Sequence, residues 1–105
     1  MIFTKLQILS RINDLTVLGE TSYIRFTKSC VNGHNIIKYA NKNVAECKEL
    51  CSQNSNCVAF EYGVEYREGG TYKSRDCQLS DSAEKQGCDG SHHNLDLYVR
   101  GNKKT

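Results

Sequence analysis

Two short stretches of this chain alternate apolar and polar residues. In Tyr23-Ile24-Arg25-Phe26-Thr27, Tyr23 and Arg25 alternate with Ile24 and Phe26, and in Leu95-Asp96-Leu97-Tyr98-Val99-Arg100 the alternation is strict. A period of two predicts a strand in each. Between them the period changes. Val44, Cys47, Leu50 and Cys51 fall on one face of a helix, while Glu46, Lys48 and Glu49 point away, so the segment from Val44 to Asn54 reads as the clearest helix. Asn43 suits its N-cap, because its side-chain oxygen can accept from a free first-turn amide, and Glu46 stands where it completes a capping box. Asn54-Ser55-Asn56 ends the helix. The turn signal Asn32-Gly33 leads to a short apolar run, Ile36-Ile37. Cys57-Val58-Ala59-Phe60-Glu61-Tyr62 has strand residues, and Asp76-Cys77-Gln78-Leu79-Ser80 reads as a short strand. The predicted outline is one helix against a small antiparallel sheet, with no internal repeat.

The connecting segments are polar. Glu65 to Ser74 is a charged loop centred on Gly69-Gly70, and Asp81 to His93 is a polar loop containing Gly87, Cys88 and Gly90. Residues 1–21 read as an N-terminal extension that admits a truncated signal, an upstream linker or a construction boundary. Leu6, Leu9, Ile12 and Leu15 form a weak helical stripe there, and Leu15 with Val17 equally suits a first strand. Residues 101–105 read as a basic tail. One domain over residues 22–100 remains.

Composition adds one strong constraint. The 105 residues carry six cysteines and a formal net charge of +2. A domain this small buries only part of its surface, so a core alone leaves a thin stability margin. An even number of cysteines in a short chain fits a disulfide frame, at roughly 2–5 kcal/mol for each native bridge, and a reducing cytosol would leave them as thiols. The expected setting is therefore secreted or extracellular. The modest charge gives nucleic-acid binding little support. No stretch is long or apolar enough to insert across a bilayer.

The cysteines also carry a resemblance. Cys47-Lys-Glu-Leu-Cys51 on the helix, Cys57-Val-Ala-Phe-Glu-Tyr opening the next strand and Cys77-Gln-Leu in a short strand resemble the PAN/apple module. Phe26, the turn Gly33-His34-Asn35-Ile36 and the closing strand Leu97-Tyr98-Val99-Arg100 are similar to its flanking elements. Cys30 and Cys88 fit the outer pair of the six-cysteine apple type. The resemblance implies an α+β fold with one helix packed on a small curved antiparallel sheet. Spacing alone leaves fifteen pairings open; the resemblance implies Cys47–Cys77, Cys51–Cys57 and Cys30–Cys88.

Other chemistry finds little support. The usual zinc spacings are missing, and on an extended segment the adjacent His92 and His93 near Asp89 point to opposite sides, so no metal is expected. His34 reads as a turn residue. Paired thiols leave no nucleophile for a cysteine protease. The loop carboxylates Glu65, Glu68, Asp76 and Asp81 give no sign of a buried acid with a raised pKa. Gly69-Gly70 lacks the Lys-Ser/Thr of a phosphate loop. No catalytic residue and no cofactor is expected. Tyr62 and Tyr98 read as core or cross-strand residues.

Surface recognition is what remains. Tyr66, Arg67, Tyr72, Lys73 and Arg75 share one loop, where aromatic faces suit sugars or protein and cations suit sulfate or carboxylate. His92 and His93 form a second candidate region. The resemblance implies a non-catalytic extracellular module that binds protein or carbohydrate, anionic glycans included, in adhesion or matrix. On this reading the chain is no enzyme, and it fits within a longer multidomain protein. The alternative is a stand-alone secreted effector, such as a venom-like or inhibitory small protein.

Overall fold

The computed structural model describes residues 22–101. The readings made for residues 1–21 and for the end of the basic tail lie outside the described residues. Five strands form one antiparallel sheet: β1 (Tyr23–Phe26), β2 (Asn35–Tyr39), β3 (Ala59–Gly63), β4 (Cys77–Ser80) and β5 (Leu95–Arg100), in the order β1-β5-β3-β4-β2. Helix α1 (Val44–Ser52) follows β2, and a helical turn, α2 (Gly90–His93), precedes β5. The fold is α+β, as expected, with three disulfides: Cys47–Cys77, Cys51–Cys57 and Cys30–Cys88.

Helix α1 starts where the sequence places it. Glu46 N donates to Asn43 Oδ1 at 2.7 Å and Asn43 N donates to Glu46 Oε1 at 2.8 Å, a complete capping box. The helix ends at Ser52, short of Asn54, with Gln53 as its C-cap. No basic residue lies in its last turn. Arg100 of β5 supplies the charge from across the sheet: its guanidinium donates to the carbonyls of Cys51, Ser52, Asn54 and Cys57. A cation among free carbonyls at a helix C-terminus is favourable.

The register puts Tyr23, Phe60, Tyr62, Cys77, Leu79 and Tyr98 on the face that meets α1. Phe60 stacks on Tyr98 with centroids 4.7 Å apart and meets Tyr23 edge-on at 5.4 Å. The Tyr23 hydroxyl donates to Lys48 O at 3.1 Å, so edge strand β1 is tied to the helix. Tyr62 is buried and its hydroxyl donates to Lys42 O at 2.6 Å. Cys47 and Cys51 face this core, as the helical period predicts.

The opposite face carries Phe26, Ala59, Glu61, Gln78, Leu97 and Val99. It is covered by the segment after β1, where Val31 packs on Ala59 and Leu97, and the Cys30–Cys88 bridge pins that cover. Because both faces are covered, alternation in the sequence does not track exposure. In β5, Leu95, Asp96 and Leu97 are all buried, although the strict alternation would have put Asp96 in solvent. Two further boundaries move. β3 begins at Ala59, since Cys57 is held in the turn by its bridge to Cys51. The polar stretch from Asp81 to His93 ends in α2, whose N-cap Asp89 accepts from Ser91 N. The Ser91 hydroxyl, which also donates to Asp89, and then this amide lower the Asp89 pKa.

Candidate functional site

The charged loop is held down at defined points. Val64 N donates to Asn94 O at 2.8 Å, and Tyr72 N donates to His93 O at 3.1 Å. The buried Asn94 clamps the loop between them. Its Oδ1 accepts from Tyr66 N and Arg67 N at 3.1 and 3.0 Å, and its Nδ2 donates to Arg67 O at 2.9 Å. Asn94 adopts the left-handed conformation that asparagine tolerates, as the C-cap of α2. Gly70 leaves room for this clamp, since a Cβ there would collide with the Asn94 amide. At the loop's base, Gly63 lies directly against the Lys73 carbonyl, with no space for a side chain.

Asp96 provides a second tether. Its carboxylate accepts from the Tyr66 hydroxyl, from Lys28 N at 2.9 Å and from Arg25 Nε and Nη2 at 3.1 and 2.9 Å. A buried carboxylate satisfied in this way joins three segments. Desolvation and then Asp96 raise the Tyr66 pKa. Tyr66, expected at a ligand surface, therefore has its polar tip committed inside the protein.

The other candidates divide into two places. Arg67 Nη1 lies 3.0 Å from His92 Nδ1, and His93 Nδ1 lies 2.7 Å from Thr71 Oγ1. The two imidazoles meet edge-on at 5.0 Å, and Tyr72 lies 6.3 Å from His93 between centroids. Arg67, Tyr72, His92 and His93 thus share one surface, although the sequence reading treated the loop and the histidines as separate regions. His92 and His93 sit on a helical turn rather than the extended segment expected, which is why their rings are neighbours. Arg75 is elsewhere: its Nε donates to Asn41 Oδ1 at 2.9 Å, and its carbonyl accepts from Lys42 N. Lys73 is exposed, with its backbone amide donating to Asp76. His34 is a turn residue with positive φ, and its Nδ1 lies 3.1 Å from Asp81.

Tyr72 and His93 also line a cleft of about 90 Å³, together with Val31, Gly33, Asn35 and Glu61. Glu61 is 2% exposed. Its Oε2 accepts from Val31 N at 2.6 Å. Desolvation outweighs that bond and pushes the Glu61 pKa up to about 7. The sequence reading sought a raised acid among loop carboxylates and found none; the structure puts it in a strand. The available signal was one carboxylate inside the otherwise apolar run from Val58 to Tyr62.

Residues 19–102 match the family model described as the PAN domain. The chain belongs to the PAN domain family. No curated protein and no solved structure matches it. The six cysteines and three bridges fit the apple-like type of PAN domain. PAN domains are non-catalytic modules that bind protein or carbohydrate. A disulfide-rich PAN domain fits an extracellular setting, and no helix among the described residues is long and apolar enough to cross a membrane.

Proposed function

We propose that this PAN domain is an extracellular recognition module of the adhesion or matrix type. Its ligand is a protein or glycan, held where the loop of residues 64–75 meets α2. One observation carries the reading: Asn94 fastens the loop to α2, so Arg67, Tyr72, His92 and His93 form one preorganised surface. Preorganisation lowers the ordering cost of binding, and a mixed aromatic and cationic surface suits sugar rings or acidic protein patches. Pairing of all six cysteines supports the extracellular assignment.

The test is a glycan array beside a pull-down from extracellular matrix, using the wild type, Arg67→Ala/Tyr72→Ala and Arg75→Ala. The first variant is expected to lose binding and the second to keep it. The charge-dependent part should weaken with salt, since exposed charges are screened beyond about 8 Å at physiological ionic strength. Equal binding by all three proteins would remove this surface as the site.

A further inference from the structure

Glu61 is a buried carboxylate without a counter-ion. The ion pairs among the described residues are Arg25–Asp96, His34–Asp81 and Lys38–Asp76, and none involves Glu61. The other arginines of the domain are turned elsewhere: Arg67 to His92, Arg75 to Asn41 and Arg100 to the carbonyls at the end of α1. Glu61 has the Val31 amide, on Oε2 alone. A desolvated carboxylate in this state is costly when charged, which is why its pKa stands at about 7. The residue is almost wholly buried yet lines the cleft behind Tyr72, so its contact with solvent is through that cleft.

Folding has already stripped Glu61 of water, so a cation that reaches it loses only its own hydration. Asn35 also lines the cleft; its Nδ2 donates to Gln78 Oε1, which leaves its Oδ1 as a second acceptor. Tyr72 offers an aromatic ring to a cation. Lys38 stands 5.8 Å from that ring, but its charge is met by Asp76 at 3.7 Å and it is half-exposed, so it neither neutralises Glu61 nor bars a second cation. An anion finds a donor at Glu61 only while that group is protonated, and above pH 7 it meets a like charge. The cleft of about 90 Å³ holds about three water-sized groups at ~30 Å³ each, an ammonium and two methylenes of its stem. A guanidinium on its stem is larger. On the same surface, Arg67 and His92 favour a lysine that has acidic neighbours.

We propose that this cleft receives the ammonium of a partner protein's lysine, with Glu61 as its counter-ion, Asn35 as a second acceptor and the Tyr72 ring against its stem. The proposal rests on the recognition reading above and names the partner chemistry at that surface. Where Glu61 holds a proton, the guest displaces it to solvent, so binding is tighter where Glu61 is ionised. Besides Glu61, the titratable groups that line the cleft are Tyr72 on the loop and His93 on α2, while Lys38 and Asp76 pair near the Tyr72 ring. A protonated His93 would repel the guest and so acts in the same direction; the Glu61 carboxyl carbon tells the two apart.

The test is NMR titration of the disulfide-bonded chain labelled with ¹⁵N and ¹³C. The probe is lysine blocked at both backbone ends. Beside it stand the same compound of arginine, alanine amide with its free α-amine, methyl galactoside, acetate and a heparin tetrasaccharide. Blocked lysine should move the amides of Val31, Gly33 and Asn35 saturably, with an affinity that rises about tenfold from pH 6 to pH 8 as Glu61 ionises. At saturation the Glu61 carboxyl carbon should titrate at lower pH than in the free chain. Glu61→Gln should weaken binding about tenfold or more, the worth of a charge-assisted bond, and Tyr72→Ala about two- to fivefold. The Tyr72 variant reads the same cleft should Glu61→Gln fail to fold. Equal cleft shifts with arginine, the α-amine, the galactoside or acetate overturn the lysine assignment, as do lysine shifts that Glu61→Gln leaves unchanged. If heparin moves Arg67 and His92 while blocked lysine moves nothing in the cleft, the subsite is overturned and the recognition surface stands. No shift with any probe removes both readings.

Discussion

The two faces of the sheet are built on different principles. The face under α1 is closed by aromatic stacking around Phe60, by two disulfides and by the Arg100 guanidinium under the helix end. The other face has a small apolar patch around Val31, Ala59 and Leu97, then turns polar at Glu61 and Gln78. Loops cover it, and one long-range bridge holds them. Close packing around Phe60, with its charged groups Asp96 and Arg100 satisfied by hydrogen bonds, makes the first face a source of stability. The second keeps a desolvated carboxylate, Glu61, whose burial outweighs its bond from Val31 N and reduces stability where it is charged. The two sides of one five-stranded sheet thus differ in kind, one closed by a helix on an aromatic core and the other by loops over a buried carboxylate.

The bridges offer the sharpest way to break that division. In the loop-entropy account, losing Cys30–Cys88, 58 residues apart, costs about 4 kcal/mol. Losing Cys47–Cys77, 30 residues apart, also costs about 4 kcal/mol. The difference should appear in location. Cys47→Ser/Cys77→Ser is expected to expose the amides of α1 and β3 together. Cys30→Ser/Cys88→Ser should first release the segment from Ser29 to Gly33 and leave α1 protected. Thermal melts with hydrogen exchange by mass spectrometry read both effects. A single pattern of lost protection in both variants would show that the two faces are one cooperative unit. Lys48→Ala serves as the surface control, within about 0.5 kcal/mol of wild type.

Glu61 sharpens the comparison through pH. Its folded pKa is raised from the usual 4.5 to about 7, so between those values the native state holds a proton that the unfolded chain has lost. Stability from this group is complete below pH 4.5, falls as pH rises toward 7 and is level above it. The rise is worth about 3 kcal/mol at 1.36 kcal/mol per pH unit. Glu61→Gln keeps an acceptor for Val31 N and carries no charge. It should match wild type near pH 4 and exceed it by up to about 3 kcal/mol at pH 8 in denaturant unfolding. Parallel wild-type and variant curves across that range would show that Glu61 is not desolvated as described.

The smallest expected effect lies at the helix start. Asn43→Ala removes one half of the capping box and should cost about 1 kcal/mol. Because α1 meets only the apolar face, sugar or heparin binding by this variant should stay unchanged while its melting temperature drops by a few degrees. A change in binding would mean the two faces are coupled.

What the sequence determined by itself is local, because it rests on interactions within a few residues. The capping box at Asn43 and Glu46, the helical placement of Cys47 and Cys51, the strand Leu95–Arg100 and the turn at Gly33 each depend on the spacing of near neighbours. The six cysteines implied a disulfide frame, and their spacing carried the resemblance to the family. What only the tertiary structure decided concerns residues distant in the chain. The strand order β1-β5-β3-β4-β2 sets Glu61 beside Gln78 and brings Asn35 to them, and no period in the sequence encodes that adjacency. The same holds for the Asn94 clamp, which joins Arg67 and Tyr72 to His92 and His93, and for Arg75, which a left-handed turn and a bond to Asn41 carry away from its loop neighbours. Composition could group these side chains by type. Their common or separate surfaces follow from backbone pairing and from which face of the sheet each loop covers.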